Sequence, residues 1–151
     1  MRFVFTLKQS DVDAAMRGVM QRLNGPQKRR VLYRMAREFY EITASNIGTI
    51  GAARPSEWPP LSPRYAKRVG RSHATMLLTG EMFRSIRVSA TQDAGQISTT
   101  NPYAAAHQYG EAPQPLRPFM PMTGTQGNER LTPYAEKRLI DVAQAELRKL
   151  S

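Results

Sequence analysis

The chain has no cysteine among its 151 residues, which excludes disulfides and thiolate metal sites. It has two histidines, His73 and His107, too far apart in sequence to form a local metal-binding motif. No apolar run approaches the roughly 20 residues of a membrane span. Met1–Phe5 is followed by no apolar stretch of the length a secretory signal needs, so synthesis in the cytoplasm without export is expected. Hydrolase and nucleotide signatures are missing too. There is no Gly-x-Ser-x-Gly, no His-Glu-x-x-His and no glycine-rich phosphate loop. With no thiol and no carboxylate or serine in a recognisable catalytic motif, His107 has no partner for nucleophilic chemistry. The expectation is a chain with no catalytic residues, no metal and no cofactor.

What is abundant is positive charge. Lysine and arginine number 22 against 12 acids, a formal net charge of +10. Such an excess favours an anionic partner, or else keeps the protein dispersed. Only Lys28-Arg29-Arg30 forms a tight basic run. The length suits one domain over 1–151, large enough for a modest core.

Along the chain, Phe3, Phe5 and Leu7 alternate with polar residues and predict a short strand. Ser10 with Asp11 and Asp13 reads as a helix start, and Asn24-Gly25-Pro26 as that helix's end. Pro26 suits the first turn of a second helix with Val31, Leu32, Met35, Ala36, Phe39 and Ile42 on its apolar face. That helix carries Arg29, Arg30, Arg34 and Arg37 on its other side and is expected to fade near Ser45-Asn46. Together the two predict an N-terminal helical hairpin. Residues 46–75 are rich in proline and glycine and predict a long basic loop holding one short helix near Ser62–Lys67. This loop reads as an arm with little core of its own.

Thr79 is placed to cap a short helix, and Ile86–Ser89 and Gln96–Thr99 predict a hairpin around Asp93-Ala94-Gly95. Tyr103–Tyr109 predicts two helical turns stopped by Gly110. Glu111–Pro121 reads as extended, and Gly124–Asn128 as flexible. Thr132 and Pro133 begin a last helix with Leu139, Val142, Ala143, Leu147 and Leu150 in its apolar stripe. The predicted fold class is α+β: a small antiparallel sheet packed against the N-terminal helical hairpin and the C-terminal helix.

Five segments occur in a fixed order: Trp58-Pro59-Pro60-Leu61-Ser62; Leu78-Thr79-Gly80 with Met82, Ser85 and Ile86; a strand; Asn101-Pro102-Tyr103-Ala104 with His107-Gln108-Tyr109-Gly110; and Arg117-Pro118-Phe119-Met120. Each has a local explanation. Thr79-Gly80 suits a cap and a close backbone approach, and His107 suits a packed helix. The prolines flanking Phe119 reduce the entropy lost on ordering that segment, which suits an extended arm with Phe119 anchored in the core, the safer reading, or in a partner. Trp58 suits either a staple from the loop to the body or an interface anchor. As an ordered set, the five resemble the virion morphogenesis or tail completion family of tailed bacteriophages, typified by Mu-like phages.

The resemblance implies a small α+β structural protein of the head–tail neck, found in the virion. Such a protein completes or terminates the tail and joins it to the head connector. It implies a homo-oligomer, a ring of about six copies around the DNA channel, built from heterologous contacts that close. The tail tube and the neck or connector proteins are the implied partners. Trp58, Arg64, Tyr65, Arg68, Arg71 and Phe119 are the expected interface residues, since Trp and Arg are enriched at binding hot spots. Arg29, Arg30, Arg34 and Arg37 are the expected DNA-facing set, making non-specific contact with genomic DNA in the channel. Two alternatives stand beside this reading: a transient assembly factor absent from the finished particle, and a non-specific basic DNA-binding protein.

Overall fold

A computed structural model describes residues 3–8, 18, 20–48, 54–70, 81–110 and 116–150. In chain order the elements are β1 (Phe3–Lys8), α1 (Gly25–Gly48), α2 (Pro63–Val69), α3 (Glu81–Ser85), β2 (Arg87–Ala90), β3 (Ala94–Thr99), α4 (Ala104–Tyr109), β4 (Met122–Thr125), β5 (Asn128–Leu131) and α5 (Pro133–Leu150). The fold is α+β, as the sequence pattern predicts. Most of the expected first helix, and the expected caps at Ser10 and Thr79, lie outside the described residues.

The long helix α1 begins with a reciprocal cap. Gln27 N–H donates to Asn24 Oδ1 at 2.9 Å, and Asn24 N–H donates to Gln27 Oε1 at 3.1 Å. Each side chain satisfies an N–H that the first helical turn leaves free. The whole expected apolar face of α1 is buried, and the helix continues past Asn46 to Gly48. It continues because Asn46 and Ile47 fall on that same face and are fully buried.

Strand β3 is the centre of a three-stranded antiparallel sheet in the order β1-β3-β2. Phe3 pairs with Thr99 and Lys8 with Ala94 on one side, and Arg87 with Ser98 and Ala90 with Gly95 on the other. Helix α1 lies across β2 and β3 and also packs along α5. Gly95 permits the closest approach, since a Cβ there would sit 2.7 Å from Leu32 O and 3.0 Å from Ala36 Cβ. The core between these elements is one cluster that includes Leu32, Met35, Phe39, Ile97, Phe119, Met120 and Leu139.

The stretch expected to be flexible, Gly124–Asn128, is instead the turn of a second hairpin. Here β4 and β5 pair from Met122↔Leu131 to Thr125↔Asn128. Gly124 and Gly127 adopt positive φ of 106° and 86°, and it is this conformational freedom that the turn uses. The final helix starts as expected. Thr132 Oγ1 accepts from Ala135 N–H at 3.2 Å, with Pro133 in the first turn.

Within the expected loop, residues 54–70 are described. Ser62 caps α2, its side chain accepting from Tyr65 N–H, and Gly70 closes it at a φ of 74°. Residues 54–61 are tied to the body through the contacts described next.

Candidate functional site: a basic groove beside a buried strap

Most of the described motif residues converge on one segment, Arg117–Met122, which runs through the interior as a strap. Trp58 Nε1 donates to Pro118 O at 2.8 Å, and Asn46 Nδ2 donates to Phe119 O at 2.9 Å. Gln108 Oε1 accepts from the backbone N–H groups of both Phe119 (3.1 Å) and Met120 (2.9 Å). Its Nε2 faces Met120 O and Met122 O at the longer distances of 3.5 and 3.4 Å. Gln108 is 4% exposed, so it supplies the pairing that a neighbouring strand would otherwise give.

Around this centre, Arg117 N–H donates to His107 O at 2.9 Å, and its guanidinium reaches Pro59 O and Pro60 O. The Arg54 guanidinium lies 3.3 Å from the centre of the Trp58 ring and donates from Nε to Asn46 O. On the far side of α4 the Tyr109 hydroxyl donates to Glu129 Oε1, tying the helix to the second hairpin. Burial pushes the Tyr109 hydroxyl well above its ordinary pKa, and the Glu129 bond adds to this. His107 is half-buried, and burial together with Arg117 lowers its pKa. Both effects favour the neutral imidazole.

These contacts correct two of the expected interface anchors. Phe119 is fully buried, and Trp58 is 7% exposed with its N–H already bonded inside the chain. Both side chains build the core and offer no surface. Arg64 and Arg68 are exposed on α2, with Arg68 stacked 4.9 Å from the half-buried Tyr65 ring. Arg71 lies outside the described residues.

The arginines of α1 do come together. Arg29, Arg30 and Arg34, with Pro26 and Tyr33, form one wall of an open groove of about 560 Å³, and Glu146 and Lys149 of α5 form the other. Arg37 lies one turn further along α1, paired with Glu41 at 3.0 Å and stacked on Tyr40. Glu146 is 3% exposed and sits at the focus of the groove. Arg30 Nε donates to its Oε1 at 2.5 Å, Lys149 Nζ lies 3.3 Å from Oε2, and Arg34 Nε lies 4.0 Å from Oε2. Burial alone would raise the Glu146 carboxyl, but the hydrogen bonds and charges of Arg30 and Lys149 outweigh it and hold the pKa low. Arg29 is fixed separately, its Nε donating to Ala90 O at 3.0 Å.

Three cations thus surround one buried carboxylate, and a fourth, Arg29, lines the same groove. Pattern reading places the arginines but leaves out Glu146, Lys149 and Tyr33. One signal for Glu146 is present in the sequence. It stands three residues after Ala143 and four before Leu150, a charge set within the apolar stripe of α5.

The strap and groove define a small α+β protein whose distinctive motifs serve its own architecture, while its basic helix face stays outward. The model of the phage virion morphogenesis family matches residues 7–150, and the chain belongs to that family. Comparison with curated proteins and with solved structures finds no match. The chain therefore has a structural or assembly role in building the phage virion.

Proposed function

We propose that this protein is a component of the phage neck, where it completes or terminates the tail and joins it to the head connector. It acts without catalysis or cofactor, as a homo-oligomeric ring of about six copies around the DNA channel. The family match over nearly the whole chain is the observation that carries this reading. Two features favour self-assembly. Strands β1 and β2 are the sheet's edges, each with no second partner among the described residues, and Tyr103, Leu116 and Tyr134 are large apolar groups left about half exposed. A ring needs heterologous contacts of this kind, with different surfaces meeting head to tail until they close. The outward cations of α1 fit a channel that carries DNA. The tail tube and the connector are the other partners in this reading.

Quantitative mass spectrometry of purified particles tests it. A low fixed copy number, equal to one ring, is expected. Absence from finished particles, combined with tails that fail when the gene is lost, would establish the second reading, a transient assembly factor. Deleting residues 50–72 would not test the arm alone, because it also removes Trp58, which bonds the strap at Pro118 O. A cleaner probe is Arg64→Ala with Arg68→Ala on the exposed face of α2. This pair should leave the fold intact and reduce tail completion if α2 meets a neighbour.

A further inference from the structure

We infer that the groove between α1 and α5 is a binding site for the phosphate backbone of nucleic acid, contacted by Arg29, Arg30, Arg34 and Lys149 and held in shape by Glu146. The inference does not depend on the neck assignment, since it concerns the free chain.

The first argument is preorganisation. Long basic side chains on a surface ordinarily lose rotamer freedom when they bind, a cost of up to about 2 kcal/mol for each immobilised side chain. Here a single buried carboxylate draws Arg30, Arg34 and Lys149 together from two helices, and Ala90 O holds Arg29. Glu146 is an anchor and not a competitor, because its charge is already outnumbered by its own partners. Arg30 and Arg34 remain 54% and 45% exposed at the side chain, and Lys149 62%. Their charge faces the groove while their stems are fixed.

The second argument is the choice of ligand. Three of the four cations are arginines, whose planar forks match phosphate oxygens. Besides Pro26, the main apolar group in the lining is the Tyr33 ring, 39% exposed. The basic stripe also runs past the groove, since Arg30, Arg34 and Arg37 share one side of α1 at spacings of four and three. An extended polyanion with a regular repeat fits such a row better than a single small anion. The overall +10 charge adds long-range attraction to the same kind of partner.

The experiment is fluorescence anisotropy of the full chain with a labelled duplex oligonucleotide, read across salt concentration. Each phosphate contact contributes a slope of about −0.9 in log affinity against log salt. Four contacts predict a slope near −3.6, a loss of about 150-fold between 50 and 200 mM salt. Arg34→Ala with Lys149→Ala should halve the slope and reduce that loss to about 12-fold. Lys149→Ala alone lies at an exposed helix end, so it cannot fail through misfolding, and it should reduce the slope by about one. The control pair Arg64→Ala with Arg68→Ala should leave the slope near that of the unaltered chain. Three results would overturn the inference: no binding at 50 mM salt, groove variants that bind with the unaltered slope, or poly-glutamate binding at least as tightly as DNA. The last would reassign the groove to an acidic protein segment.

Discussion

Replacing Gln108 with methionine isolates the hydrogen bonds that hold the strap. Methionine is close to glutamine in length and volume, so the substitution leaves little cavity and the packing term stays small. What it removes is the acceptor shared by the N–H groups of Phe119 and Met120. Both N–H groups lie deep in the core, and each buried donor left unpaired costs about 1–3 kcal/mol. The expected loss is therefore about 2–6 kcal/mol, against a total stability of about 5–15 kcal/mol for a domain of ordinary size. With a urea dependence of about 1–3 kcal/mol per molar, the unfolding midpoint should fall by about 1–3 M. The single tryptophan, Trp58, is a built-in reporter because it sits beside Pro118 in the native state. Amide exchange then gives the local reading. Protection should fall at Phe119 and Met120 well before it falls at Ile97 in the central strand. A variant whose midpoint moves by less than about 0.3 M, with both amides still slow to exchange, would show that Gln108 does not hold the strap.

Other perturbations test separate parts of the structure. Because the Glu146 carboxyl is held below its ordinary range, its contribution is present above the unfolded pKa of about 4.3 and is lost as pH falls through the folded value. Glu146→Gln should flatten that acid limb in pH-dependent denaturation and lower stability at pH 7, where three cations lose their partner. Gly95→Ala should cost about 1–3 kcal/mol, since the added carbon meets the Leu32 carbonyl of α1, and should lower the melting temperature by several degrees in a thermal scan. Thr132→Ala removes the cap of α5 and should cost about 1 kcal/mol in urea denaturation.

Local signals account for much of the fold. The apolar face of α1, the β2–β3 hairpin, the short helix after Ser62, Thr132 as a cap and Pro133 in a first turn all follow from spacing and backbone chemistry. The interior polar residues do not. Asn46 and Gln108 lie in helices where an amide ordinarily faces water, and their partners are 73 and 11–12 residues away in sequence. Only tertiary packing shows that both are buried. The hairpin at Met122–Leu131 was masked by its glycines, which read equally well as flexibility or as a turn with positive φ. Half of the candidate groove was legible as a basic run on α1. The other half required knowing that α5 lies against α1, a contact that no local pattern encodes. Trp58 and Phe119 are large side chains that read either as core or as anchors for a partner, and in the fold they anchor the chain to itself.

The pairing of α1 with α5 also bears on how the protein comes into being. Helix α1 is made well before the surface that covers one side of it, since Arg30 precedes its partner Glu146 by 116 residues. Asn46 waits for Phe119, and β1 waits for β3. Contacts so distant along the chain make folding slower than local ones would. Until ribosomes reach α5, the side of α1 that packs along it and the cations beside it have no permanent cover. A message cut short before Glu146 would yield a chain that exposes both, and such chains are the natural prey of chaperones and proteases. Synthesis of α5 is thus built into the fold as a condition for a finished basic groove.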